Sequence, residues 1–195
     1  MRSIWAVAAA LTLLLTLPLA VASQALGANA PEVVVHVVLG TGMLLLARAV
    51  FDFGLPRWIN VLGALSAGAF AAVFLLQAVS RLFPDNAALD DVAFGLLGNW
   101  PERVLTLGID VWLLGLLLLG TEGRTRLIGW ALIPISTAYH LISLAGAILA
   151  ISVPNLGVFA LLIPFIWLLI EGAKRRGAPG TLGQRPPDAE QVPTA

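Results

Sequence analysis

The sequence predicts an all-α membrane protein, a six-transmembrane-helix bundle with a short amphipathic helix in its one long connection. Three observations carry that prediction. Hydrophobic residues make up 59% of the chain and charged residues 11%, with a mean hydropathy of +0.94; soluble domains carry roughly 25% charged residues. Apolar stretches of about 20 residues, enough to cross a bilayer core as helix, recur along the chain. Basic residues gather on alternate connections, as the positive-inside rule leads one to expect of a multi-pass protein.

The first apolar run, Ile4 to Ala22 after Arg2, ends in Ala20-Val21-Ala22-Ser23, which resembles a signal-peptidase site. The run is longer than a signal h-region and long enough to span, so an uncleaved first helix is expected. Asn29-Ala30-Pro31-Glu32 opens a second span reaching about Phe51: Asn is a favoured N-cap, and Pro fits a first helical turn. Gly54 and Pro56 turn the chain back. The third span, Trp58 to Ser80, is dense in small residues (Gly63, Ala64, Ala67, Gly68, Ala71, Ala72), a pattern that lets helices approach closely in lipid.

Arg81 to Trp100 mixes Asp85, Asp90 and Asp91 with Leu89, Val92 and Phe94, and reads as an amphipathic surface helix. A fourth span follows from about Pro101 to Gly120, a fifth from Arg126 to Ser152 with Pro134 inside, and a sixth from Leu156 to Ile170 with Pro164 inside. Membrane bundles tolerate such prolines. The domain reading is a single membrane domain over 1–171 and a disordered cytoplasmic tail over 172–195, polar and rich in Gly, Pro and Arg.

Nine basic residues fall on one side of this topology (Arg2, Arg48, Arg57, Arg124, Arg126, Lys174, Arg175, Arg176, Arg185) and two on the other (Arg81, Arg103). Both termini are therefore expected in the cytoplasm and the acidic loop outside. Ten of the eleven basic residues are Arg, a bias that suggests a GC-rich bacterial genome and an inner-membrane location. The net charge of zero gives no general attraction to nucleic acid. The absence of cysteine excludes disulfides, thiolate metal sites and cysteine nucleophiles.

Asn29-Ala30-Pro31-Glu32 and Asn99-Trp100-Pro101-Glu102 match at three of four positions, 70 residues apart, and each heads an apolar span, a basic turn and a return span. That echo suggests a duplicated hairpin, 29–80 and 99–150, related by an axis along the membrane normal. The competing explanation is convergence on residues favoured at helix starts.

The polar inventory inside the spans is small. Asp110 stands about 12 Å into the fourth span from its outer end, at the helix rise, where an ionisable side chain costs ~2.5–3.5 kcal/mol on insertion scales and is a functional-site hypothesis. His140 sits near the middle of the fifth span, beside Tyr139 and on one face with Ser136 and Ser143. His36 and Gln77 lie near the outer mouth. The expected ligand-binding set is Asp110, His140, Tyr139, His36 and Gln77, with Asp110 as the charged centre. Each has a structural alternative, since intramembrane polar groups also join helices.

No cofactor is expected. A bis-histidine haem would need His36 and His140 at matching depth, and the helix rise separates them by roughly 10 Å. A retinal Schiff base needs an embedded Lys, and Lys174 lies beyond the last span. Metalloprotease spacing, a G-x-S-x-G elbow and a phosphate-binding glycine loop are all missing, so an enzyme is the less favoured reading.

Gly108, Gly115 and Gly120, then Arg126-Leu127-Ile128-Gly129-Trp130, then Pro164-Phe165-Ile166-Trp167-Leu168-Leu169-Ile170-Glu171-Gly172 together resemble bacterial six-helix integral membrane proteins of unknown function. The resemblance covers roughly the last 75 residues and implies no residue roles. The functional expectation is a small inner-membrane protein that binds or moves a small molecule or a proton through a polar pocket in its outer half. The alternative is a non-catalytic subunit or assembly factor that packs against another membrane protein through its small-residue faces. The bilayer is the one partner that composition itself demands.

Overall fold

The computed structural model describes residues 4–26, 29–95, 100–149, 151, 153 and 157–177. It is all-helical there: α1 (Ile4–Leu26), α2 (Asn29–Ala49), α3 (Arg57–Leu82), α4 (Ala87–Gly95), α5 (Trp100–Gly115), α6 (Arg124–Ile148) and α7 (Gly157–Gly177), with no strand among the described residues. Five stretches are long and apolar enough to cross a membrane: Ile4–Ser23, Glu32–Asp52, Arg57–Leu82, Arg103–Gly120 and Arg124–Ile148. In hydrocarbon every backbone polar group needs an internal partner, and a helix supplies one to nearly every residue.

The long helices pack in a closed cycle, α1 on α2, α2 on α3, α3 on α5, α5 on α6, α6 on α7, and α7 back on α1. A glycine stands at each of these seams. A Cβ on Gly42 would lie 2.7 Å from Leu13, one on Gly40 2.8 Å from Leu75, and one on Gly63 2.7 Å from Trp112. Gly129 sits against both Leu117 of the α5 side and Trp167 of α7, and Gly172 against Val7 of α1. Small residues permit this approach, which in lipid replaces the hydrophobic drive of a soluble core. Leu13, Met43, Phe70, Trp112, Phe165 and Leu168 are fully buried within the cycle.

Several boundaries differ from the sequence expectation. The fourth span ends in a π-helical turn, Leu116–Gly120. Thr121 explains it, because its Oγ1 donates to the Leu116 carbonyl over 2.9 Å and so holds the widened turn closed. The fifth span stops at Ile148, four residues before Ser152. There the amide of Ile151 bonds the Gly146 carbonyl over 2.8 Å and Val153 folds onto Gly146, where a Cβ would clash. The last helix runs on past Ile170 to Gly177, so 172–177 is helix rather than the expected disordered tail. Residues 178–195, and Asn99 of the second Asn-Pro-Glu motif, lie outside the described residues.

Helix α4 occupies the long connection and is docked on α3. Gln77 Nε2 donates to the Ala93 carbonyl over 3.3 Å, and Arg81 reaches Glu32 at 3.1 Å, Asp90 at 3.5 Å and the Phe94 ring at 4.3 Å. The turns before α3 and α6 each carry a glycine at φ +69°, Gly54 and Gly123, a backbone conformation that L side chains resist.

Candidate functional site

Helix α5 presents two faces. Gly108, Trp112 and Gly115 meet Ser66, Gly63 and Ile59 of α3. Arg103, Asp110 and Leu117, spaced seven residues apart, meet Ser143, His140 and Gly129 of the antiparallel α6. A spacing of seven is nearly two helical turns, so the three contacts form rungs up one seam.

The middle rung is ionisable on both sides. His140 Nδ1 lies 2.7 Å from Asp110 Oδ2, with Asp110 1% and His140 5% exposed. The contact fixes Nδ1 on the carboxyl group and turns Nε2 away from it. That nitrogen is buried without a hydrogen-bond partner, and so is Thr137 Oγ1, three residues earlier on α6. An orphaned buried polar atom costs about 1–3 kcal/mol, and native structures hold few of them. The Tyr139 ring meets the imidazole edge-on at 5.8 Å. On the rung above, the Arg103 guanidinium donates to the Ser143 carbonyl and ties α5 to α6.

One turn before His140 on α6, Ser136 Oγ donates to the Ala160 carbonyl of α7 over 2.7 Å. Pro164 sits four residues beyond Ala160 and has no amide, so the intrahelical donor for that carbonyl is missing. Ser136 supplies the replacement from α6. The site is therefore held from both sides, by α5 through Asp110 and by α7 through Ser136.

The structure brings together Asp110, His140 and Tyr139. His36 and Gln77 make their contacts elsewhere: His36 Nδ1 bonds its own helix at the Glu32 carbonyl over 2.8 Å and its ring meets Phe94, while Gln77 holds α4. His36 stands on α2 and His140 on α6, which are not neighbours in the cycle. No group of three or more His, Asp or Glu that could hold a metal occurs among the described residues. An open groove lines Leu82 to Ala87, at the turn between α3 and α4.

The chain matches no protein-family model, curated protein or solved structure. What it does must be argued from the seam itself.

One buried acid escaped the sequence analysis. Glu171 is 2% exposed on α7, one turn from Trp167 and one from Lys174. With the sixth span ending at Ile170, Glu171 stands as the last residue of the membrane domain and reads as a boundary charge. The usable signal was the apolar run before it, which continues the helix in register through Gly172.

Proposed function

We propose that this protein is a six-span bacterial inner-membrane protein that binds a proton or a small hydrogen-bond-donating molecule at His140, with Asp110 as the charged partner that holds the imidazole. The observation that carries it is the buried pair: a histidine oriented by a carboxylate at Nδ1 while its other nitrogen, unpartnered and enclosed, is free to accept. A carboxylate on one ring nitrogen fixes the orientation of an imidazole and leaves its other nitrogen to meet a ligand. In a purely structural seam, an apolar pair of similar volume would serve at lower cost. Tyr139 is the neighbouring hydroxyl-bearing side chain, and His36 and Gln77 belong to a separate cluster that places α4 at the mouth.

The sixth span is α7. Its 21 residues fill the place in the cycle between α6 and α1; six crossings would put both termini on one side, and the bias of nine basic residues to two supports the cytoplasm for that side. The two hairpins α2–α3 and α5–α6 turn through glycines of the same φ, which favours a duplicated unit. Thermal-shift measurements on the purified protein across pH and a set of small alcohols, amines and acids test the binding reading. Asp110→Asn is expected to abolish any ligand-induced stabilisation while leaving expression intact; an equal response from the variant would sink it.

A second reading, a subunit that packs on another membrane protein, draws on α3. Gly63, Ala67 and Ala71 are covered inside the bundle, but Gly68 has nothing within 4 Å and Leu65 is exposed. Cross-linking through Gly68→Cys in membranes would reveal such a neighbour.

A further inference from the structure

We propose that the chain carries protons across the membrane, the Asp110–His140 pair forming one end of the path and Glu171 the other. The inference rests on the reading of the pair given above and extends it to a second acid on another helix.

Ionisable side chains are scarce here. Helix α1 has none, and α3 has only Arg57 and Arg81 near its ends. On the three helices α5, α6 and α7 the buried ionisable groups among the described residues are Asp110, His140 and Glu171. Burying one carboxylate in lipid is costly and marks a functional-site candidate; here two stand on helices that flank the same neighbour.

Helix α6 joins them. Its buried positions Thr125, Gly129, Ile133, Ser136 and His140 follow helical spacing and form one stripe. From His140 to Thr125 is about 22 Å along the axis. At the far end, Trp167 Nε1 donates to the Thr125 carbonyl over 2.7 Å, and Lys174 Nζ reaches the Thr125 hydroxyl at 3.2 Å and the Glu122 carbonyl at 2.8 Å. Glu171 lies between Trp167 and Lys174 on α7, one turn from each.

Between Ser136 and Thr125 the stripe is apolar. Leu117 and the Trp167 indole close over Gly129, where a Cβ would meet the indole at 2.8 Å, and Ile133 is fully buried one turn further along α6. This is the seal, and the Trp167–Thr125 hydrogen bond is its latch. Pro134 and Pro164 lie beside it on α6 and α7, and the missing backbone bonds make these levels the places where both helices bend most cheaply.

The step balances simply. A proton from water on the Arg103 side forms the His140 Nε2–H bond, and the imidazolium charge is met by the Asp110 carboxylate. When the seal opens, water enters the seam between Ser136 and Thr125. The Nε2–H bond breaks as that water takes the proton, hydrogen-bonded waters pass it to the Glu171 carboxylate, and Glu171 releases it to water on the Lys174 side. One positive charge crosses per cycle and nothing is oxidised or reduced. Arg103, fixed on Ser143, and Tyr139 are titratable groups on the elements that carry the pair, while Lys174, Glu122, Arg124 and Arg126 are charged residues at the Thr125 end.

The test uses the full chain in proteoliposomes loaded with a pH-sensitive dye, with a potassium diffusion potential as driving force. Wild type should acidify the lumen well above protein-free vesicles. Glu171→Gln should lower the rate at least tenfold and Glu171→Asp by less than threefold. No flux from wild type, or full flux from a folded Glu171→Gln protein, overturns the proposal. If Glu171→Gln does not fold, wild type is treated with dicyclohexylcarbodiimide, which adds to protonated buried carboxyls. Modification located at Glu171 with loss of flux supports the path; modification there with flux unchanged overturns it. The ring ¹⁵N signals of His140 read the pair separately. If Asp110→Asn alters them while Glu171→Gln conducts normally, the path is wrong and the binding reading survives. If Asp110→Asn leaves them unchanged, both fail.

Discussion

Ser136 Oγ lies 2.7 Å from the carbonyl of Ala160, the acceptor that Pro164 deprives of its helical amide. The serine on α6 thus repairs a defect in α7. Removing the hydroxyl by Ser136→Ala should destabilise the protein by about 1 kcal/mol, the net value of a typical hydrogen bond. In a Pro164→Ala background the same substitution should cost much less, because the restored amide of residue 164 takes the carbonyl. A double-mutant cycle by thermal or denaturant unfolding in detergent measures the difference. Equal costs in both backgrounds would refute the repair.

The Asp110–His140 contact allows a second cycle. Asp110→Ala strands both imidazole nitrogens, and His140→Ala strands the carboxylate. Each single variant should lose stability, and the double variant less than their sum. Interhelical hydrogen bonds in membrane proteins couple by about 0.6–2 kcal/mol, and the cycle should fall in that range. Zero coupling would mean that the 2.7 Å contact does not persist in the folded protein.

These two contacts differ in how far the sequence reveals them. Asp110 and His140 stand out because ionisable residues in apolar spans are rare, and helix spacing alone puts His140, Ser136 and Ser143 on one face. The partner of each was not legible, since adjacency of helices is set by packing that no single span encodes. Grouping His36 and Gln77 with Asp110 followed from similar depth, yet depth says nothing about which seam a side chain enters. Ser136 could have been paired with Ala160 only by knowing the register of α6 against α7, although Pro164 already marked Ala160 as a carbonyl in need of a donor. Glu171 was missed because a charge followed by Gly, Lys and Arg looks like the end of a span.

Glycine substitutions should separate the seams from the lipid face. At Gly129 a Cβ would stand 2.6 Å from Leu117 and 2.8 Å from the Trp167 indole, so Gly129→Ala should cost about 1–3 kcal/mol by overpacking. At Gly68 nothing lies within 4 Å. There Gly68→Ala should be neutral or stabilise by up to about 1 kcal/mol, because alanine loses less backbone freedom in a helix. The ranking is read from unfolding midpoints of the two variants, and a reversed order would contradict the packing described.

Arg81 gathers Glu32, Asp90 and the Phe94 ring around the base of α4. Its side chain is one-third exposed, so screening limits the global effect of Arg81→Met to about 1 kcal/mol or less. The local effect should be larger. Amide exchange in Ala87–Gly95 is expected to accelerate while α3 and α5 keep their protection, as measured by mass spectrometry. Uniform exchange across all helices would show that Arg81 supports the whole bundle instead.

The chain has no cysteine, so every introduced one is a unique reporter of side. Asn86 in the α3–α4 connection, Glu122 before α6 and Ala173 on α7 are exposed, as is Ile151 after α6. With α7 as a sixth span, an impermeant maleimide should label Asn86→Cys and Ile151→Cys in intact cells. Glu122→Cys and Ala173→Cys should label only after permeabilisation. The pair at 151 and 173 decides the matter, because α7 is the sole long helix between them. Opposite accessibility means that α7 crosses the bilayer, and with it Glu171 faces the compartment opposite to the one Arg103 faces. The same accessibility at both positions would leave five spans, put Glu171 and the Asp110–His140 pair at no common transmembrane path, and remove the geometric basis for proton passage.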